Sequence, residues 1–298
     1  MEDTQVLATP VTPSWFVAAL AAEPTRARLS VGDVEVAYRE WRATSRDEDR
    51  APLVLLHGVA AHSGWWDHVG PQLAERRRVV AVDLAGHGDS DRRADYTIDT
   101  WAHDVLSLLD ALQLSRAHLV GHSLGGIVAM RAAQLAGERL AGIVVLESVI
   151  EDPHVRVEGD PRLSRSATTR VHPDRESALQ RWRPLPAGAV VPDFTARHVA
   201  EGSVREVEGG WSWKFDPRVF LTDSMHHDQV EPVRCRVALF RGEIGSVGME
   251  AQARVAAALG DRTIALTVPG AGHNLTLETP RAVTLALTTL LAAWDQEA

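Results

Sequence analysis

Val120-Gly121-His122-Ser123-Leu124-Gly125-Gly126 follows a short apolar run, Ala117 to Val120, and opens a small-residue run from Ile127 to Ala133. A strand, then Gly121-x-Ser123-x-Gly125, then a helix is the pattern of a nucleophile elbow. Its glycines let the backbone turn sharply enough to leave the serine oxygen proud of a sheet. The five-residue pattern also arises by chance. A working nucleophile therefore needs a histidine, an acid and an oxyanion hole from elsewhere in the chain.

Outward from this stretch, apolar strands alternate with amphipathic helices. Leu53-Val54-Leu55-Leu56 is the continuous run of a strand buried on both faces, and it ends in His57-Gly58-Val59. A helix near Trp66 to Glu75 leads to a strand from Arg78 to Val82. Ile98, Trp101, Val105, Leu108, Leu109 and Leu112 share one face of the next predicted helix. Strands at 117–121 and 140–146 flank the elbow helix, and the second ends at Glu147. After an interruption, the rhythm resumes with strand 237–240, helix 249–259, strand 263–268 and helix 280–294. Such alternation predicts a doubly wound α/β fold with a mainly parallel sheet.

Ala27 to Val31 and Val34 to Trp41, split by Gly32-Asp33, read as a hairpin before this core. Residues 1–26 read as an N-terminal extension with one short docking helix after Pro13. Residues 27–150 and 231–298 are the expected core. Residues 151–230, rich in Pro, Arg, His and Trp, read as a cap inserted after the sixth strand. Short helices are expected there at 175–182 and 192–200.

Composition narrows the class. The 298 residues are 45% hydrophobic and 24% charged, as expected of a globular chain. A net charge of -9 argues against nucleic acid or an anionic membrane as partner. One cysteine, Cys235, excludes an internal disulfide and cysteine-based zinc clusters. The first apolar run, Trp15 to Leu20, lacks the basic lead of a signal peptide, so a cytoplasmic protein is the expectation; a monomer or homodimer is expected.

His273, in Val268-Pro269-Gly270-Ala271-Gly272-His273-Asn274, follows the last strand in a glycine-rich loop. Loops at the carboxyl ends of parallel strands meet at one edge, which brings His273 and Ser123 to the same place. Oxyanion donors are expected at the N–H groups of Leu124 and Val59. His57 reads as an organiser of its loop rather than a second base. Asp83 and Asp89, with histidines nearby, read as structural rather than as metal ligands.

His57-Gly58, Asp83-x-x-Gly86-x-Gly88-x-Ser90, Gly121-His122-Ser123-x-Gly125-Gly126 and Gly272-His273 together resemble the α/β-hydrolase superfamily in order and spacing. The resemblance covers about residues 27–150 and 235–298 and implies an eight-stranded sheet and a serine hydrolase. Trp15-Phe16, Ala61-His62-x-Gly64-Trp65-Trp66 and Gly210 to Pro217 resemble, more narrowly, a group of esterase-like bacterial hydrolases, which brings no substrate with it.

In most of that superfamily the acid is an aspartate in the loop after the penultimate strand. Here the loop is Phe240-Arg241-Gly242-Glu243-Ile244-Gly245-Ser246-Val247-Gly248, with Gly245 where the pattern has aspartate. Glu147 is the leading replacement, since some members carry their acid after the strand that follows the elbow helix. Glu243 is the alternative acid, and Asp152 is a third candidate. A serine rather than an aspartate at the elbow implies acyl transfer, without a metal or organic cofactor. An apolar or aromatic ester or lactone is the expected substrate. Trp65, Trp66, Trp182, Trp211 and Trp213 are the candidate pocket walls among nine tryptophans. C–C bond, amide or perhydrolase chemistry at the same residues, or a non-catalytic receptor on this fold, are the alternatives.

Overall fold

The computed structural model describes residues 12–45, 50–150, 170–186, 189–222 and 224–297. Helix α1 (Ser14–Ala21) follows Pro13, and β1 (Thr25–Val31) and β2 (Val34–Trp41) form the expected hairpin, which turns at Gly32 with φ 59°. There follow β3 (Leu53–Leu56), α2 (Gly70–Leu73), β4 (Val79–Val82), α3 (Ile98–Ala111), β5 (His118–His122), α4 (Leu124–Ala136) and β6 (Gly142–Leu146). Beyond them lie α5 (Arg175–Leu179), α6 (Asp193–Gly202), β7 (Val204–Val207) and β8 (Gly210–Trp213). The chain closes with β9 (Arg236–Gly242), α7 (Met249–Leu259), β10 (Ile264–Val268), α8 (Leu275–Glu278) and α9 (Pro280–Gln296).

Eight strands form one sheet in the order β1-β2-β4-β3-β5-β6-β9-β10. β1 and β2 pair antiparallel, as do β2 and β4, and every pair from β4 to β10 is parallel. The six parallel strands therefore deliver their following loops to one edge, the edge that carries Ser123 and His273.

The period of two along a strand accounts for the two-sided core. Val54, Leu56, Val80 and Val82 face Trp101, Val105, Val128 and Met130 of the layer built by α3 and α4. Leu53, Leu55, Val79 and Ala81 face the other way, onto Trp66, Leu287, Leu291 and Trp294. α3 starts cleanly because Thr97 and Thr100 form a reciprocal capping box.

The structure departs from the sequence reading in two places. The helix expected at 66–75 is a 3₁₀ turn, Ser63–Trp66, followed by the four-residue α2. Pro71 stands in the first turn of α2; without an N–H it begins a helix more readily than it continues one. The segment between β6 and β9 is not wholly helical either: β7 and β8 pair as an antiparallel hairpin around Gly209 and Gly210, both at positive φ. Ala61, Trp65, Val199 and Leu277 pack together, with Trp182 against them, and join this segment to the loops at the site edge. Asp216 N–H donates to Gly86 O at 2.7 Å and ties the segment to the loop after β4. Residues 1–11 of the N-terminal extension and 151–169, including Asp152, lie outside the described residues. Among the described residues no helix is long and apolar enough to cross a membrane.

Candidate active site

Ser123 has φ 51° and ψ -115°, a strained conformation between β5 and α4. Close packing explains each neighbouring glycine. A Cβ on Gly121 would lie 2.1 Å from Gly125 O, one on Gly125 2.4 Å from Leu56 O, and one on Gly126 2.1 Å from Ser148 Oγ. The turn is held by Ser123 N–H donating to Leu146 O at 2.9 Å and by Ser148 Oγ donating to Ser123 O at 2.7 Å. Leu124 is the first residue of α4, so its N–H has no intrahelical acceptor and stands at the positive end of the helix.

The loop after β3 passes against this turn: a Cβ on Gly58 would lie 3.0 Å from His122 Nδ1 and 3.3 Å from Ser123 Cβ. Val59 follows and lines the adjacent cavity. His57 is buried with both ring nitrogens engaged. Nδ1 donates to Gly58 O at 2.7 Å, and Nε2 accepts from Leu84 N–H at 3.1 Å. Burial pushes its pKa down, so it is a neutral brace between two loops. Asp83 accepts from Ser63 N–H at 2.6 Å and Asp89 N–H at 2.9 Å, and Asp89 pairs with Lys214 at 2.8 Å. These carboxylates are absorbed in loop structure. Among the described residues no group of three or more His, Cys, Asp or Glu side chains could hold a metal ion.

His273 lies between β10 and α8, in a loop shaped by Glu278, which accepts from the N–H groups of Gly272 and Asn274. His122 Nε2 donates to the backbone oxygen of His273 at 2.8 Å. Burial, with His273 close by, pushes the His122 pKa down to about 3, which keeps that ring neutral.

The acid candidates separate clearly. Glu147 is fully buried at φ 49°, and its Oε2 lies 3.6 Å from His273 Nδ1, an ion-pair distance slightly longer than a hydrogen bond. Its carboxylate also accepts from Gly242 N–H at 3.0 Å and Ser246 N–H at 3.2 Å. A Cβ on Gly245 would lie 2.1 Å from Glu147 Oε1, so the glycine leaves the room that this carboxylate occupies. Glu243 is exposed, and its carboxylate accepts from Gly270 N–H at 2.9 Å. That bond fixes the start of the histidine loop and leaves Glu243 turned to another task.

Beside Val59 is a cavity of about 590 Å³, within the range of small-molecule sites. Trp65, Trp182 and Trp213 line it. Trp65 also stacks on His122 with centroids 6.4 Å apart. The other two tryptophans do not face it. Trp66 turns to the opposite side of its 3₁₀ turn and is buried in the core with Val69 and Leu73. Trp211 is pinned by backbone bonds to His172, with the Arg175 guanidinium 6.0 Å above its ring.

A family model described as the alpha/beta hydrolase fold matches residues 51–176. The chain has the alpha/beta hydrolase fold. Among curated proteins, 104 residues are 43% identical to the dihydrolipoyllysine-residue acetyltransferase component of the acetoin cleaving system of Pseudomonas putida, covering 34% of this chain and 28% of that one. A stretch of 94 residues is 40% identical to a pimeloyl acyl-carrier protein methyl ester esterase of Methylococcus capsulatus, covering 32% of this chain and 35% of that one. The matches thus span about a third or less of those relatives' own lengths. Among solved structures, E-2-(acetamidomethylene)succinate hydrolase superposes with a TM-score of 0.75 at 23% identity, over 90% of this chain and 99% of that one, a likeness of fold.

Several residues that shape this site were not singled out by sequence. Ser148 is an ordinary serine after Glu147, and only the turn at Ser123 gives it a task. Glu278 lies in a helix-start pattern and instead reaches back to the histidine loop. Arg170, Arg181 and Arg183 come from an aperiodic segment and meet at the cavity.

Proposed function

We propose that this alpha/beta hydrolase cleaves a carboxylic ester or lactone through an acyl-enzyme on Ser123. The single observation that carries the reading is the Glu147 carboxylate, 3.6 Å from His273 Nδ1 and seated where Gly245 has no side chain. A buried carboxylate facing the ring holds its tautomer and stabilises the imidazolium that forms during the reaction.

His273 takes the Ser123 hydroxyl proton as the oxygen attacks the substrate carbonyl. The N–H groups of Leu124 and Val59 receive the charge that develops on the carbonyl oxygen. Collapse breaks the bond to the alkoxy group, which leaves as an alcohol with the proton from His273. In a lactone the same group stays tethered to the acyl part. Water, losing its proton to His273, then displaces the acyl group from Ser123 as a carboxylic acid, and His273 returns the proton to the Ser123 oxygen. The strained elbow supports this role, since such backbone conformations collect at functional sites. In this reading residues 151–230 act as a cap, and Trp65, Trp182 and Trp213 hold an apolar part of the substrate.

Hydrolysis of p-nitrophenyl butyrate tests the proposal. Wild-type protein should release p-nitrophenol and react with a fluorophosphonate at Ser123, and Ser123→Ala should abolish both. Unchanged hydrolysis by Ser123→Ala would remove this mechanism, and a panel of ester, amide and diketone substrates would rank the bonds cleaved.

A further inference from the structure

The cavity beside Val59 has two kinds of wall. Trp65, Trp182, Trp213 and Phe215 make an apolar side, while Arg170, Arg181 and Arg183 contribute three guanidinium groups. All three arginines are exposed. Arg183 Nη1 donates to the backbone oxygens of Gln180 and Trp182, at 3.0 Å and 2.5 Å. No carboxylate among the described residues pairs with any of the three, although the chain has 40 acidic against 31 basic residues. Asp174, the acid nearest to Arg170 in sequence, caps α5 by accepting from Ser177 N–H at 2.7 Å, and Glu176, the acid nearest to Arg181 and Arg183, accepts from Gln180 Nε2 at 3.2 Å.

The arginines also come together from separate pieces of chain. Arg170 enters the segment before His172, whereas Arg181 and Arg183 follow α5. His172 feels both Arg170 and Arg181, which add to burial in disfavouring its protonated form. Like charges gathered at one opening repel one another unless an anion joins them. Guanidinium groups are also the side chains best matched to carboxylate or phosphate oxygens, which they bind bidentately. A cavity with Val59 in one wall, tryptophans along its side and three arginines that pair with no carboxylate among the described residues can read both ends of one substrate.

We propose that Arg170, Arg181 and Arg183 bind a distal anionic group, a carboxylate or a phosphate, on a substrate whose apolar part lies along the tryptophans and whose ester carbonyl meets Ser123. This rests on the acyl-enzyme reading above and adds the substrate class to it.

The test compares kcat/KM for p-nitrophenyl butyrate, p-nitrophenyl hemiadipate and the p-nitrophenyl ester of 6-phosphonooxyhexanoate. Wild-type protein should favour at least one anionic ester over the neutral one by roughly tenfold or more, the size of one or two charge-assisted hydrogen bonds. Whichever anion is favoured identifies the group as carboxylate or phosphate. In Arg170→Gln/Arg181→Gln/Arg183→Gln that ratio should collapse toward one, and three lysines should restore part of it. A wild-type ratio at or below one for both anions, or an unchanged ratio in the glutamine variant, overturns the proposal. Tryptophan fluorescence of Ser123→Ala titrated with adipate and with propyl phosphate separates the two readings. Saturable binding lost in the glutamine background, with no ester cleaved by wild type, would retain the arginine site and reject the acyl-enzyme. Ester cleavage without anion preference or binding would do the reverse.

Discussion

The carboxylate of Glu147 fills the space that a side chain on Gly245 would need, with the built Cβ only 2.1 Å from Oε1. The two residues lie after different strands, β6 and β9, which are neighbours in the sheet. Gly245 is excluded from bearing a side chain by space, since its φ is outside the left-handed region. Gly245→Ala should therefore push the carboxylate away from His273 and lower kcat by roughly a hundredfold, the scale of an ångström-sized misplacement. Transferring the acid, by Glu147→Gly with Gly245→Asp, should recover activity above that of Glu147→Gly alone. Full activity in Gly245→Ala, measured with p-nitrophenyl butyrate, would show that the carboxylate is not held where the site needs it.

Glutamine substitutions separate the two acids. Glu147→Gln removes the charge facing His273 and should reduce kcat by two to four orders of magnitude, on the order seen when a triad acid becomes an amide. It also turns an amide nitrogen toward the N–H groups of Gly242, Ser246 and Val247, which now donate to the carboxylate. Stability should fall by about 1–3 kcal/mol for that mismatch. Glu243→Gln keeps an oxygen for Gly270 N–H and should leave kcat within a few-fold of wild type. The opposite pattern in steady-state kinetics would assign the acid to Glu243.

How much of this was legible in sequence depends on the range of the forces involved. The strand of Leu53 to Leu56 was readable because four apolar residues in a row satisfy both core layers. The elbow was readable because the clash between Gly121 and Gly125 is local and short spacing encodes it, although Gly125 and Gly126 also answer to Leu56 and Ser148, far along the chain. Gly245 and Glu147 were visible separately, one as a missing aspartate and one as a carboxylate at a strand end. Their mutual fit needed the β6–β9 register. Trp65 and Trp66 were indistinguishable as neighbours, yet successive residues of a 3₁₀ turn point in different directions, one to the cavity and one to the core. The β7–β8 hairpin escaped because Val204 to Val207 is a short, mixed run whose strand character comes from its partner.

The elbow glycines give a stability test. A methyl on Gly125 would meet the backbone oxygens of Leu56 at 2.4 Å and His57 at 2.7 Å, neither of which can swing away. Gly125→Ala should force β3 and α4 apart and cost about 3 kcal/mol or more, at the upper end for overpacking a rigid site. Gly126→Ala meets the Ser148 hydroxyl at 2.1 Å, a side-chain atom, so Gly126→Ala/Ser148→Ala should be more stable than Gly126→Ala alone. Urea denaturation of the three proteins checks the ranking. Equal midpoints for Gly125→Ala and wild type would contradict the packing described at the elbow.

Buried histidines should make the fold acid-sensitive at unusually mild pH. Burial pushes His62 and His68 down to about 4, and His87, His118 and His122 down to about 3. Each ring is neutral in the folded chain but takes a proton in the unfolded chain below about 6.5. The unfolded chain therefore binds more protons over the window from about 6.5 down to 4 or 3, and folding stability falls as pH falls through it. Each histidine removes somewhat under 1 kcal/mol at pH 6 and about 2 kcal/mol at pH 5. Five together approach the roughly 5–15 kcal/mol that holds a typical domain folded. Tm should be nearly level from pH 8 to 7 and drop steeply between pH 6 and 5, followed by near-ultraviolet circular dichroism. His118 is buried and stacked on Trp294 with centroids 5.4 Å apart, so His118→Phe should keep the packing and remove one proton from the slope. A level Tm from pH 7 to 5 would mean that these rings accept protons while the chain stays folded.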